Sequence, residues 1–138
     1  MQVSTVKWVG GEEFLAQMPS GHSVLFDADR NHNSAPGPME MLLGSLGACS
    51  SVDVVEILRK KRQTLASLEI EISGERASEP PAVWTKIDMI YKLTGTLDEK
   101  AVRDAIELSQ NKYCSVAATL RKTAEITYRF EIMPPKTR

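Results

Sequence analysis

The sequence predicts an α+β domain, a curved antiparallel sheet covered on one face by helices. Three observations carry that reading. β-Branched and aromatic runs lie at both ends of the chain, helical spacing continues from Pro38 to Arg62, and residues 67–76 alternate apolar and polar with a period of two. With 138 residues, 42% of them hydrophobic, the chain has apolar material for a core and reads as a single domain over 1–138.

Residues 3–26 read as a strand meander. VSTVKWV at 3–9 runs into Gly10-Gly11, a hairpin signal, and the runs at 13–18 and 22–26 flank Pro19-Ser20-Gly21. The loop at 27–37, DADRNHNSAPG, is turn chemistry throughout and carries Arg30 and His32, the latter read as a solvated loop residue. A central helix follows at 38–62, opened by Pro38, with Leu42, Leu43, Leu46, Val52, Val55 and Leu58 at three- and four-residue steps. Its middle is nearly bare around Cys49: Gly44, Ser45, Gly47, Ala48, Ser50 and Ser51. Two glycines inside a helix cost roughly 1 kcal/mol each relative to alanine. A second helix lying unusually close would offset that cost, which places the thiol at a buried interface. Beyond the basic helix end, strands are expected at 67–76 and 83–93 as an antiparallel pair, then a helix at 98–113 capped by Asp98. A short helix at 115–122 and a closing strand at 124–133 complete the order, with Cys114 between the last two helices.

Net charge is −1, from 17 basic and 18 acidic residues, so the overall field points to neither nucleic acid nor an anionic membrane surface. The start MQVSTVKWVGG lacks a basic region followed by an apolar core, and the central helix is interrupted by Glu40, Asp53 and Glu56, so no membrane span is expected. The expected location is the cytoplasm. Two cysteines and two histidines without paired-ligand spacing predict no metal site and no cofactor.

A thiolate is the reactive form of cysteine, and an apolar setting suppresses it unless a cation or a helix N-terminus compensates. Cys49 lies mid-helix, so a working Cys49 needs a cationic side chain from elsewhere; Arg30 is the nearest candidate in sequence. On composition alone each thiol reads first as a small buried hydrophobe. The richer chemistry is a cycling pair, in which Cys49 attacks a peroxide oxygen to give a sulfenic acid and Cys114 condenses with it to a disulfide.

The stretches PMEMLLGSLGAC ending at Cys49 and NKYCSVA around Cys114, with the element order above, resemble the OsmC/Ohr family of thiol-dependent hydroperoxide reductases. The wording is most like its YhfA-type branch. The resemblance implies an OsmC-like fold, an intertwined homodimer with the two long helices packed centrally, an organic hydroperoxide as substrate and an external dithiol as reductant. It makes Cys49 the peroxidatic and Cys114 the resolving cysteine, an arginine such as Arg30 the thiolate stabiliser, and a glutamate at the start of the long helix the holder of that arginine. Three positions depart from the pattern. Met39 stands where the family has its glutamate and Glu40 comes one residue later, a turn of about 100° in a helix; Arg30 aligns only with the loop shifted; and Ser115 replaces the proline after the second cysteine. Nine residues, about 13 Å of helix rise, separate Glu40 from Cys49, so carboxylate help is expected across the dimer interface. The expected activity is therefore a peroxiredoxin-like organic hydroperoxide reductase. A ligand-binding or thiol-carrier protein of the same fold with little peroxidase activity, and a purely structural dimer, stand as alternatives.

Overall fold

The computed structural model describes residues 1–135, which form six strands, three α-helices and one π-helical turn. By their internal contacts they fall into two compact units, Met1–Gly44 and Ser45–Arg138, where the sequence alone reads as one domain. The boundary falls inside the long helix, and each unit is described by itself.

The first unit is an antiparallel sheet in the order β1 (Thr5–Gly10), β2 (Glu13–Gln17), β3 (Ser23–Asp27), as the meander predicts. Gly10 and Gly11 turn the chain with φ of 118° and 53°, values side chains rarely adopt. The Trp8 indole N–H donates to the Gly11 carbonyl at 2.9 Å, across that turn. The loop after β3 is more ordered than its composition implies, because Asp27 organises it. One Asp27 oxygen accepts the Asp29 N–H at 3.0 Å, the other accepts Ser34 N–H and Ser34 Oγ at 3.1 and 2.9 Å, and the Asp27 carbonyl meets His32 Nδ1 at 2.6 Å. His32, expected to be merely solvated, is thus a bonded member of the loop.

The N–H groups of Asp29 and Ser34 hold the Asp27 carboxyl below the usual carboxylate range. A group whose pKa is lower in the folded state contributes stability above its ordinary value, and that stability is lost as pH falls through the lowered one. Asp27→Asn is therefore expected to flatten the acid limb of the stability profile, read from urea midpoints between about pH 2 and 5.

The second unit holds β4 (Thr64–Arg76), β5 (Trp84–Thr96) and β6 (Glu125–Met133), with β5 central. β4 and β5 are antiparallel as expected, but β5 and β6 run parallel, from Lys86 opposite Glu125 to Thr94 opposite Met133. Parallel neighbours need a crossover of a dozen or more residues, and α2 (Glu99–Leu108), the π turn Ser109–Tyr113 and α3 (Ser115–Leu120) supply it. Ile87, Met89, Tyr91 and Leu93 alternate along β5 into the core. Leu46, Val54 and Leu58 of α1 (Pro38–Lys60) and Val102, Ala105 and Ile106 of α2 are buried with them. Asp98 caps α2 by accepting the Ala101 N–H at 3.1 Å. The regular helix stops at Leu108, not 113, where the π turn begins.

Within this chain the close approach allowed by the small residues of α1 is to a strand. A Cβ on Gly47 would lie 2.8 Å from Ile72 Cδ1 on β4, whereas one on Gly44 would meet nothing within 4 Å. A correction concerns apolarity. Glu40, Asp53 and Glu56 are spaced so widely that an 18-residue window of α1 has a mean hydropathy of 1.6 and no more than two charges, enough by length and composition to cross a membrane. Of that window 28% is buried within the chain, and Asp53 is hydrogen-bonded to Ser109 of the π turn.

α1 ends in a Schellman arrangement. Gln63 N–H reaches the Leu58 carbonyl at 2.9 Å and Arg62 N–H the Arg59 carbonyl at 3.0 Å, with Arg62 at φ 58° in the position glycine usually fills. Arg62→Gly is expected to raise unfolding free energy by about 1 kcal/mol in urea titration, because it removes the left-handed penalty and leaves the bonds intact.

Candidate functional site

Cys114 owes its place to the π turn. Its N–H reaches back five residues to the Ser109 carbonyl at 2.8 Å, and such one-turn π segments gather at functional sites. The chain then straightens at Cys114, φ −74° and ψ 101°, and the residue becomes the N-cap of α3, its Sγ accepting the Ala117 N–H at 3.4 Å. Cys114 is buried, Cys49 on α1 is half-buried, and both are free thiols. Although 65 residues apart in sequence, they lie close enough for Cys49 to act on the Cys114 thiol. Burial, offset in part by the Ala117 N–H, pushes the Cys114 thiol up to about 11, and a hydrogen-bonding contact with the Cys49 side chain and the nearby Asp53 charge push the same way. The contact raises the pKa because it favours the protonated Cys114.

Beside the thiols a chain of polar side chains crosses the core, from exposed Arg121 through buried Gln110, Tyr91, Ser50 and Ser109 to half-buried Asp53. Arg121 Nη2 donates to Gln110 Oε1 at 3.0 Å, and Gln110 Nε2 donates to the Tyr91 hydroxyl at 2.6 Å. Tyr91 meets Ser50 Oγ at 2.6 Å, Ser50 meets Ser109 Oγ at 2.8 Å, and Ser109 donates to Asp53 Oδ2 at 2.8 Å. Each hydroxyl has one proton, so the two ends set every direction between them. Ser109 gives its proton to Asp53, Ser50 must then give to Ser109, and Tyr91 to Ser50. The order closes only with Tyr91 protonated, and burial indeed raises the Tyr91 hydroxyl above its ordinary value. Among the described residues no buried side-chain nitrogen or oxygen lacks a hydrogen-bond partner.

Of the four residues singled out from sequence, the structure brings Cys49 and Cys114 together. Arg30 and Glu40 belong to the first unit. Arg30 is exposed on the loop, and Glu40 Oε1 accepts the Gly37 N–H at 2.9 Å, the third-residue half of a capping box that satisfies the start of α1. Asp53, Ser50, Ser109, Tyr91, Gln110 and Arg121 escaped the sequence reading. One signal for them was present: Ser50 continues the buried line Leu46, Val54, Leu58 at four-residue steps, a polar residue on the apolar stripe. Among the described residues no group of three or more His, Cys, Asp or Glu could hold a metal ion.

A cleft of about 390 Å³ is lined by Asp53, Glu56, Ile57, Lys60, Lys61, Leu108 and Tyr113, and neither thiol is part of its lining. Tyr113 directly precedes Cys114, and Asp53 lies one helical turn beyond Cys49.

A long helix and a π-turn junction that present two facing thiols over an α+β frame define a small dithiol protein. The chain belongs to the OsmC family: the family model described as "OsmC-like protein" matches residues 31–129. It is 43% identical over 129 residues to Protein YhfA of Escherichia coli strain K12, spanning 93% of this chain and 96% of that protein. A hypothetical protein from Aquifex aeolicus VF5 is similar in structure, with a TM-score of 0.88 and 30% identity over 99% of this chain and 98% of the other. The organic hydroperoxide resistance protein OhrB of Bacillus subtilis shares the fold, with a TM-score of 0.67 and 11% identity over 95% and 98% of the two chains.

Proposed function

We propose that this protein is a cytoplasmic, homodimeric thiol peroxidase that reduces organic hydroperoxides. Cys49 as thiolate attacks the outer peroxide oxygen, the O–O bond breaks, and the alkoxide leaves as an alcohol after protonation. Cys49 becomes a sulfenic acid, and Cys114 condenses with it to a disulfide and water. An external dithiol restores both thiols. The observation that carries this reading is the closeness of Cys49 and Cys114, two free thiols that would serve as attacking and resolving sulfurs. Family membership and the hydroperoxide-resistance naming of a fold relative support it. Support for the homodimer comes from apolar side chains that one chain leaves open, among them Val6 at 63% and Trp8 at 67% exposure on β1 and Val52 at 56% on α1. In the dimer, Arg30 is the proposed cation for the Cys49 thiolate, with Glu40 as its support.

One observation favours the alternative of a dithiol carrier or ligand-binding protein: Asp53, an acid, stands beside the thiols in the second unit, and an acid disfavours a thiolate. Titration of free thiols before and after one equivalent of cumene hydroperoxide separates the two. Rapid loss of two thiols per chain is expected, and slow or absent loss would favour the carrier reading over the peroxidase.

A further inference from the structure

The hydrogen-bond chain joins the two elements that carry the thiols. Ser50 and Asp53 flank Cys49 on α1, while Ser109 starts the π turn that ends at Cys114. Ser109 is doubly engaged: its carbonyl holds the Cys114 N–H at 2.8 Å and its hydroxyl spans to Asp53 Oδ2 at 2.8 Å and Ser50 Oγ at 2.8 Å. A shift of the π turn along α1 would break both side-chain bonds, one of them to half-buried Asp53. Ser109 is fully buried, so water does not replace them. The register of the π turn on α1, and with it the separation of the sulfurs, is thus held by side chains that belong to neither thiol.

We propose that Asp53 and Ser109 are positioning residues for disulfide closure, clamping the π turn onto α1 so that Cys114 faces Cys49 when Cys49 has become a sulfenic acid. The step they serve is condensation: the Cys114 sulfur attacks the Cys49 sulfur, its proton leaves, and the displaced hydroxide takes up a proton to become water. The clamp acts after peroxide is consumed. Loss of the Ser109 hydroxyl therefore slows closure and leaves sulfenic acid formation unchanged. Its catalytic relevance rests on the peroxidase reading, whereas the clamp itself concerns any disulfide between these sulfurs.

Two measurements on the full-length chain test this. The first is equilibration with reduced and oxidised glutathione, in which oxidised glutathione supplies the two-electron oxidation and no peroxide is involved. Asp53→Ala and Ser109→Ala are expected to shift the Cys49–Cys114 equilibrium toward the dithiol by on the order of tenfold, the loss of one hydrogen bond to a charged group. Asp53→Asn keeps an acceptor for Ser109 and is expected to stay within about threefold of the parent. Tyr91→Phe cuts the chain away from the clamp; it is expected to lower the urea midpoint and leave the equilibrium unchanged, which a merely structural role for Ser109 would not allow. The second is single-turnover reaction with cumene hydroperoxide, where Ser109→Ala is expected to trap as sulfenic acid at the parental rate and close about tenfold more slowly. Parental glutathione equilibria in both alanine variants, or Asp53→Asn as impaired as Asp53→Ala, would overturn the proposal. A parent that equilibrates with glutathione but ignores peroxide would remove the peroxidase reading and leave the clamp standing.

Discussion

Replacing Cys49 by serine is expected to abolish the reaction with cumene hydroperoxide, lowering the single-turnover rate by on the order of 10³-fold or more, the scale of loss when a nucleophile is removed. A serine hydroxyl is not ionised near neutral pH and is a poor nucleophile toward peroxide oxygen, so no other group on α1 takes over. Cys114→Ser should do something different. Peroxide is still consumed once, and a sulfenic acid accumulates on Cys49, where dimedone labelling and mass spectrometry detect it. The asymmetry follows from the environments. Burial pushes the Cys114 thiol up to about 11, so at neutral pH it is almost wholly protonated and unsuited to attack first. A Cys49→Ser variant as fast as the parent would show that the attacking sulfur is not Cys49.

The same environment makes stability pH-dependent. Because the folded Cys114 thiol titrates above its ordinary value of 9.0, its contribution is complete below that pH and is lost as pH rises toward about 11. The Tyr91 hydroxyl, also raised, adds to the same alkaline limb.

Gly95→Ala is expected to destabilise the second unit by about 3 kcal/mol or more, with a matching drop in the urea midpoint. Gly95 has φ 151°, where a side chain is strained, and a Cβ there would collide with the Thr64 carbonyl and lie 3.0 Å from the Ala66 nitrogen. These are backbone atoms at the β4 irregularity between Leu65 and Ser67, so no rotamer change relieves the clash. In the sequence reading the strand ends at 93. In the fold Gly95 is buried and lets β5 continue to Thr96 past the bulge.

Much of the element order is legible along the chain because each signal is local. Gly10-Gly11 turns β1 into β2, Pro38 and Glu40 open α1, Asp98 caps α2, and alternation marks β4. The thiol pair was legible only through the motifs around Cys49 and Cys114, since nothing in the 64 residues between them encodes their proximity. Three features were not legible. The π turn looks like continuing helix, because Ser109–Tyr113 keeps helical composition and differs only in which carbonyl each N–H finds. The parallel pairing of β6 depends on the path of the crossover. Gly47 promised a close neighbour without saying that it would be Ile72 of a strand.

What the sequence by itself determined is the order and type of the elements and the family, since periodicity, caps, turn residues and short motifs act within a few residues of one another. Tertiary structure alone decided the parallel third strand, the meeting of Cys49 with Cys114 and the oriented chain from Arg121 to Asp53. Ser50 finds its partners 41 and 59 residues away and Asp53 its partner 56 away, so those bonds exist only once the core has brought distant strands and helices together.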